Sequence, residues 1–165
     1  MDEVAAAAGV SHGLAYRYFA GKDELFRALA EEALTRVPDG PEVQEVAETP
    51  GKRIRQLIST LLRTRREQPE MFLLLNHVLG DRATPGDLLE LARRRGEEFR
   101  AILRQLIVEG QATGEVARND PDQLVAAVTA CLDGLGRLAL AQPASHFPGD
   151  EIVMRLLGSP AGRES

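Results

Sequence analysis

The chain has 165 residues, 44% of them hydrophobic and 27% charged, with a formal net charge of −5. That is enough chain for a real hydrophobic core in one or two units, and the acidic balance excludes a protein coated with basic residues for nucleic acid, so any such contact must be local. No apolar run approaches the roughly 18 residues of a membrane span, no basic segment followed by an apolar one opens the chain, and Cys131 is the single cysteine; together these point to the cytoplasm.

From the N-terminus, Val4 to Ala8 is alanine-rich and favours a helix. Gly9 offers a residue able to take positive φ at its end, and Ser11 suits the N-cap of a second helix. Helix, tight turn, helix is the spacing of a helix-turn-helix. On a wheel of about 100° per residue, Ala15 and Phe19 fall on the core side and Arg17 lies nearly opposite, with Gly13 and Leu14 beside it and Tyr16 and Tyr18 on the shoulders. In a major groove, Arg17 would meet guanine, Leu14 a thymine methyl, and the tyrosine hydroxyls and Lys22 the phosphates, with His12 and Gly13 at the positive helix end. Tyrosines two apart on a short helix are equally what half-buried packing residues look like, so residue types leave both readings open.

Leu25, Phe26, Leu29, Ala30 and Ala33 make the stripe of a third helix. Pro38, Gly40 and Pro41, then Pro50 and Gly51, bracket an acidic linker, PDGPEVQEVAETP, that divides the chain at about residue 37. Ile54, Leu57, Ile58, Leu61 and Leu62 fall at helical spacing, as do Phe99, Ile102, Leu103, Leu106 and Ile107. Between them, Met71 to Leu79 is apolar nearly all round and reads as a short buried helix. Its polar members Asn76 and His77, with Met71, Phe72, Leu75, Phe99 and Leu103 around them, fit an apolar cavity with few polar anchors, or equally a plain core with one satisfied histidine. Cys131 reads as a small hydrophobe and is grouped with this set.

The helix from about Asp122 to Ala141 is apolar on more than one face: Leu124, Val128, Cys131, Leu132, Leu135 and Leu138 along one side, widened by Val125, Ala139 and Leu140. Such a helix is central or covered by another subunit. Gly134 and Gly136 would let a neighbouring helix approach. The final stripe of Ile152, Val153, Leu156 and Leu157 would complete the contact, so Val125, Val128, Leu132, Leu135, Ile152 and Leu156 are the candidate dimer interface, with an intrachain core as the alternative. His12, His77 and His146 lie far apart, without a paired-Cys or HExxH pattern. No metal, cofactor or catalytic constellation is expected.

Residues 1 to 34, MDEVAAAAGVSHGLAYRYFAGKDELFRALAEEAL, resemble the DNA-binding domain of the TetR family of bacterial one-component repressors, whose pattern runs VA..AGVS.G..Y.YF..K..L. Val4, Ala5, Ala8, Gly9, Val10, Ser11, Gly13, Tyr16, Tyr18, Phe19, Lys22 and Leu25 match in register. The resemblance implies a recognition helix from about Ser11 to Phe19, with His12, Gly13, Leu14 and Arg17 facing bases and Tyr16, Tyr18 and Lys22 on the backbone. EGQATGEVARNDPDQLVAAVTACLDGL is similar to the family's ligand-binding and dimerisation domain. This implies an effector pocket built from residues 51 to 115, and a four-helix dimer interface from the helices beginning at Asp122 and Asp150.

Two departures stand out. Leu14 sits where the family commonly has Thr, Ser or Ala. Members usually also carry a further helix before the residue matching Met1, so the chain is expected to open on their second helix, either from an internal methionine or as a truncated form that binds DNA weakly, with a head loosened around Val4, Phe19, Phe26 and Leu29. The overall expectation is an all-α protein with a helix-turn-helix head over residues 1–37 and an effector-binding and dimerisation domain over 51–165. It would act as a homodimeric, ligand-responsive regulator, most often a repressor, binding a double-stranded palindromic operator and a small-molecule effector. The alternatives are a dimeric small-molecule-binding helical protein without effective DNA binding, and an all-helical enzyme.

Overall fold

The computed structural model describes residues 2–35, 49–141 and 147–158. Nearly all of the expected linker, and His146, lie outside them. Eight helices run through the described residues: α1 (Asp2–Ala7), α2 (His12–Tyr18), α3 (Lys22–Thr35), α4 (Pro50–Glu67), α5 (Pro69–Gly80), α6 (Gly86–Thr113), α7 (Pro121–Ala141) and α8 (Asp150–Met154). No strand occurs among these residues, as the 3.6-residue periodicity requires.

Local chemistry sets the boundaries. Gly9 turns the chain after α1 at φ +67, a conformation that costs a side-chain-bearing residue energy. Ser11 caps α2, its hydroxyl accepting from the Leu14 N–H at 3.2 Å. Thr49 caps α4, and Pro50 opens it with the fixed φ of a first helical position. Gly114 ends α6 in the left-handed region at φ +79, and the Glu115 N–H returns to the Gly110 carbonyl at 2.8 Å. The Gln111 amide then donates to the carbonyls of Ala117 and Asn119, fixing the turn into α7. The Glu115 carboxyl is held below the usual carboxylate range, first by the Thr49 hydroxyl and then by that of Thr113.

The main core lies between α4, α6, α7 and α8, where Ile54, Ile58, Leu103, Ile107, Val128, Leu132, Val153 and Leu157 are almost wholly removed from water. A second, smaller cluster joins α3 to α5 and α6 through Ala30, Leu34, Val78, Leu88 and Ala92, with Phe26 against it. The third helix is therefore fused to the body by packing. A fork from Arg27 to both Asp87 oxygens, at 2.6 and 3.0 Å, adds a polar tie between α3 and the start of α6. By contrast α1 and α2 pack chiefly on each other. Around them Phe19 is half-buried and Leu29 is exposed.

Three expectations need correction. The helix from Met71 is not buried throughout: α5 turns Phe72 and Val78 inward and leaves Leu73 and Leu79 more than half exposed, because it lies over the side of the α3/α6 packing. Helix α7 is long and apolar enough to cross a membrane, with a mean hydropathy of 1.6. Its alanines supply hydropathy that a count of large apolar side chains overlooks. Gly136 is used inside the chain: a Cβ there would lie 2.6 Å from the Phe72 ring, whereas Gly134 faces open space.

Candidate functional site

Two sites emerge, one at the N-terminal end and one in the body. Helix α2 buries none of its residues. Ser11, His12, Gly13, Leu14, Tyr16, Arg17 and Tyr18 are all exposed, as is Lys22 at the start of α3. Ala15 and Phe19 take the half-buried side expected of them. Tyr18 is 69% exposed, far more than a packing residue needs, while the His12 and Tyr16 rings meet at 4.6 Å. The His12 imidazole also pairs with Asp2 on α1, a carboxylate that reduces the positive character expected between His12 and Lys22. The outer side of α2 thus offers one guanidinium, two phenolic hydroxyls, an imidazole and an uncovered leucine on a helix the width of a major groove.

The second site is a cavity of about 220 Å³ between α3, α4, α5, α6 and α7. Met71, Phe72, Leu75 and Asn76 reach it from α5, and Phe99 from α6. The other three residues assigned to a pocket do not reach it. His77, one position beyond Asn76 and so about 100° further round the helix, points outward to pair with Asp81 at 3.2 Å. Leu103 is fully buried in the main core, and Cys131 packs half-buried against that core.

Sequence reasoning missed the cavity's polar anchors. Arg65, whose side chain is 16% exposed, lies 3.6 Å from Asp133 of α7 and stacks 5.3 Å above the Phe72 ring. Burial pulls its guanidinium pKa down and Asp133 draws it back up. Among the described residues neither Arg65 Nε nor the Thr129 hydroxyl has a hydrogen-bond partner, although both atoms are buried and both residues line the cavity. Buried polar atoms are almost always satisfied, so this pair stands out. Thr129, a lone hydroxyl in an apolar run, carried a signal; Arg65, within the charged RTRRE segment, did not. Ala33 and Leu34 of α3 complete the wall.

The expected interface residues divide. Val125, Val128 and Leu132 belong to the chain's own core, at most 6% exposed, and so are closed to a second subunit. Leu135 is half-buried, while Ile152 and Leu156 are exposed. The side of α7 left open carries Ala126, Ala127, Ala130, Gly134, Arg137 and Ala141.

A paired short-helix head on a helical body with an internal cavity is the architecture of a helix-turn-helix regulator. Residues 1–29 match the family model of bacterial regulatory proteins, tetR family, and residues 50–157 that of the BetI-type transcriptional repressor C-terminal domain. The chain belongs to the TetR family of transcriptional regulators. Among solved structures it is similar to the MbdR regulator from Azoarcus sp. CIB, at 26% identity and a TM-score of 0.74 over 94% of this chain and 85% of that one. PfmR from Thermus thermophilus shares the fold at 20% identity and a TM-score of 0.73, over 93% and 82% of the two chains. AibR in complex with isovaleryl coenzyme A and operator DNA does so at 16% identity and a TM-score of 0.65, over 93% and 82%. No curated protein matches the chain significantly.

Proposed function

We propose that this protein is a ligand-responsive transcriptional regulator and not an enzyme: a cytoplasmic homodimer that represses from a palindromic operator and is released by a small-molecule effector in the cavity. Its head over residues 1–37 would bind DNA and residues 51–165 would hold the effector and the partner. One observation carries this reading. Ala33 and Leu34 of α3 line the cavity, and the same helix begins at Lys22 directly after the recognition helix. An occupant therefore touches the element that carries the head, and its differential affinity for two head positions would set the switch. That AibR, of the same fold, is described with both an acyl-CoA and operator DNA supports the pairing of two such ligands on one scaffold.

On α2, Arg17 would read guanine and Leu14 a thymine methyl, with His12 and Gly13 at the bases; Ser11, Tyr16, Tyr18 and Lys22 would hold the phosphates. The subunit contact would use the open alanine and glycine side of α7 with Ile152 of α8 and Leu156 just beyond it, in place of the buried valines. Fluorescence anisotropy with DNA from upstream of the protein's own gene, at two salt concentrations and with random competitor, tests the reading. Saturable, competitor-resistant binding is expected. Binding no stronger than to random DNA would instead leave a dimeric small-molecule-binding protein.

A further inference from the structure

Resting on the reading of the cavity as an effector site, we propose that its occupant is a small apolar monocarboxylic acid whose carboxylate is received by Arg65 Nε and the Thr129 hydroxyl. Size comes first. At about 220 Å³ the cavity falls below the roughly 300 to 1,000 Å³ that holds drug-sized ligands, which favours a short branched or aryl acid over a long chain or a nucleotide conjugate inside the walls. Phe72, Phe99, Leu75 and Leu132 give the body of such a molecule an apolar lining.

Charge comes second. Three arginines, Arg65, Arg95 and Arg100, line the cavity against one carboxylate, Asp133. Arg95 is engaged by Glu98 at 3.2 Å, and Arg100 has no ion pair among the described residues. The local excess is positive and suits an anion. Arg65 is the deepest of the three; its only anionic partner among the described residues stands at 3.6 Å, beyond the roughly 2.7–2.9 Å of a charge-assisted hydrogen bond. The guanidinium is thus held by Asp133 without being saturated by it. Its Nε and the Thr129 hydroxyl, both enclosed in the wall and without a hydrogen-bond partner among the described residues, become donors to the two oxygens of one carboxylate once the side chains turn toward it. A neutral hydrocarbon would leave both unsatisfied; a cation would meet Arg65.

The full chain would be titrated calorimetrically with 4-methylpentanoate, benzoate, phenylacetate and 3-phenylpropionate, and with the primary amide of each. At least one acid is expected to bind, about tenfold or more tighter than its amide, as loss of a hydrogen bond to a charged group implies. Asp133→Asn, which removes the competing carboxylate, should tighten the acid and leave the amide unchanged; Thr129→Val and Arg65→Gln should abolish the preference. Circular dichroism would establish that each variant is folded, and Asp133→Asn and Thr129→Val carry the test if Arg65→Gln is not. Amides binding as tightly as acids, or acids unaffected by Asp133→Asn, would overturn the carboxylate assignment while leaving the effector site in place. Binding of neutral toluene but of no acid would do the same. If neither acids, amides nor toluene bind, the effector-site reading itself fails.

Discussion

A single missing side chain shapes the cavity. Gly136 leaves room for the Phe72 ring, and any Cβ there would stand 2.6 Å from it. Gly136→Ala should therefore destabilise the fold by about 1–3 kcal/mol, as overpacking does, and shift Phe72 together with the Arg65 stacked on it; thermal denaturation and the fluorescence of a bound apolar dye would read both effects. Leu103→Ala, in the main core and away from the cavity, should cost about 2–5 kcal/mol with no such change in dye binding. On the proposed DNA surface, Arg17→Ala should remove about 1–3 kcal/mol of binding to the specific sequence, whereas Lys22→Ala should weaken binding to every sequence alike and flatten the salt slope by about one. Equal effects of both on specific and random DNA would defeat the role given to Arg17. At this scale the sequence was informative where motif and periodicity agree, as at Ser11 and Arg17. It was silent on Arg65 and Asp133, and offered for Thr129 only a lone hydroxyl in an apolar run. These stand on two helices, one of them within a charged segment, and only the packing of α4 against α7 brings them to one cavity.

Among the helices, α3 is the one that belongs to two places. Its apolar stripe was plain in the sequence, but its partners were not, because a stripe says that a face is buried and never against what. The Arg27–Asp87 fork adds a testable pH dependence to that joint. The hydrogen bond from Arg27 is the largest influence holding the Asp87 carboxyl below its usual range. A carboxylate with a lowered native pKa stabilises the folded arrangement above its unfolded pKa and loses that effect as pH falls through the native value. The tie between α3 and α6 should then be intact at neutral pH and weaken progressively once pH drops below about 4. Limited proteolysis of the N-terminal segment across that range should show growing susceptibility in the wild type, and a flatter profile in Asp87→Asn. Helix α7 taught the opposite lesson: its breadth of apolar residues was legible, but which side faces inward was not. Large and small apolar residues surround the helix, and sorting Val125, Val128 and Leu132 inward from Ala126, Ala130 and Gly134 outward needs the positions of α4 and α6.

For the molecule as a whole, the open sides of α7 and α8 bear on assembly. Leu140, Ile152 and Leu156 are exposed, and α7 carries an open row of small residues, a shape that admits close helix packing. Under the proposed dimer, Ala130→Arg should yield a monomer by light scattering and weaken operator binding, since a palindrome is read by two heads held at a fixed spacing. An unchanged mass would move the interface elsewhere. Under the proposed function, helix α3 would span the distance between effector and groove. It is 14 residues long, or roughly 20 Å at 1.5 Å per residue, with its last turn at the cavity and its first beside the recognition helix. Pivoted at its cavity end, where Leu34 packs in the cluster with Val78 and Leu88, it would act as a lever: a tilt of only about 5° would displace the far end by roughly 2 Å over that length. That is about half the separation of neighbouring residues along the chain, enough to misalign a side chain from the base edge it must meet. Under the proposed function, a molecule small enough to vanish inside the protein would thereby gain mechanical advantage over a groove it never touches.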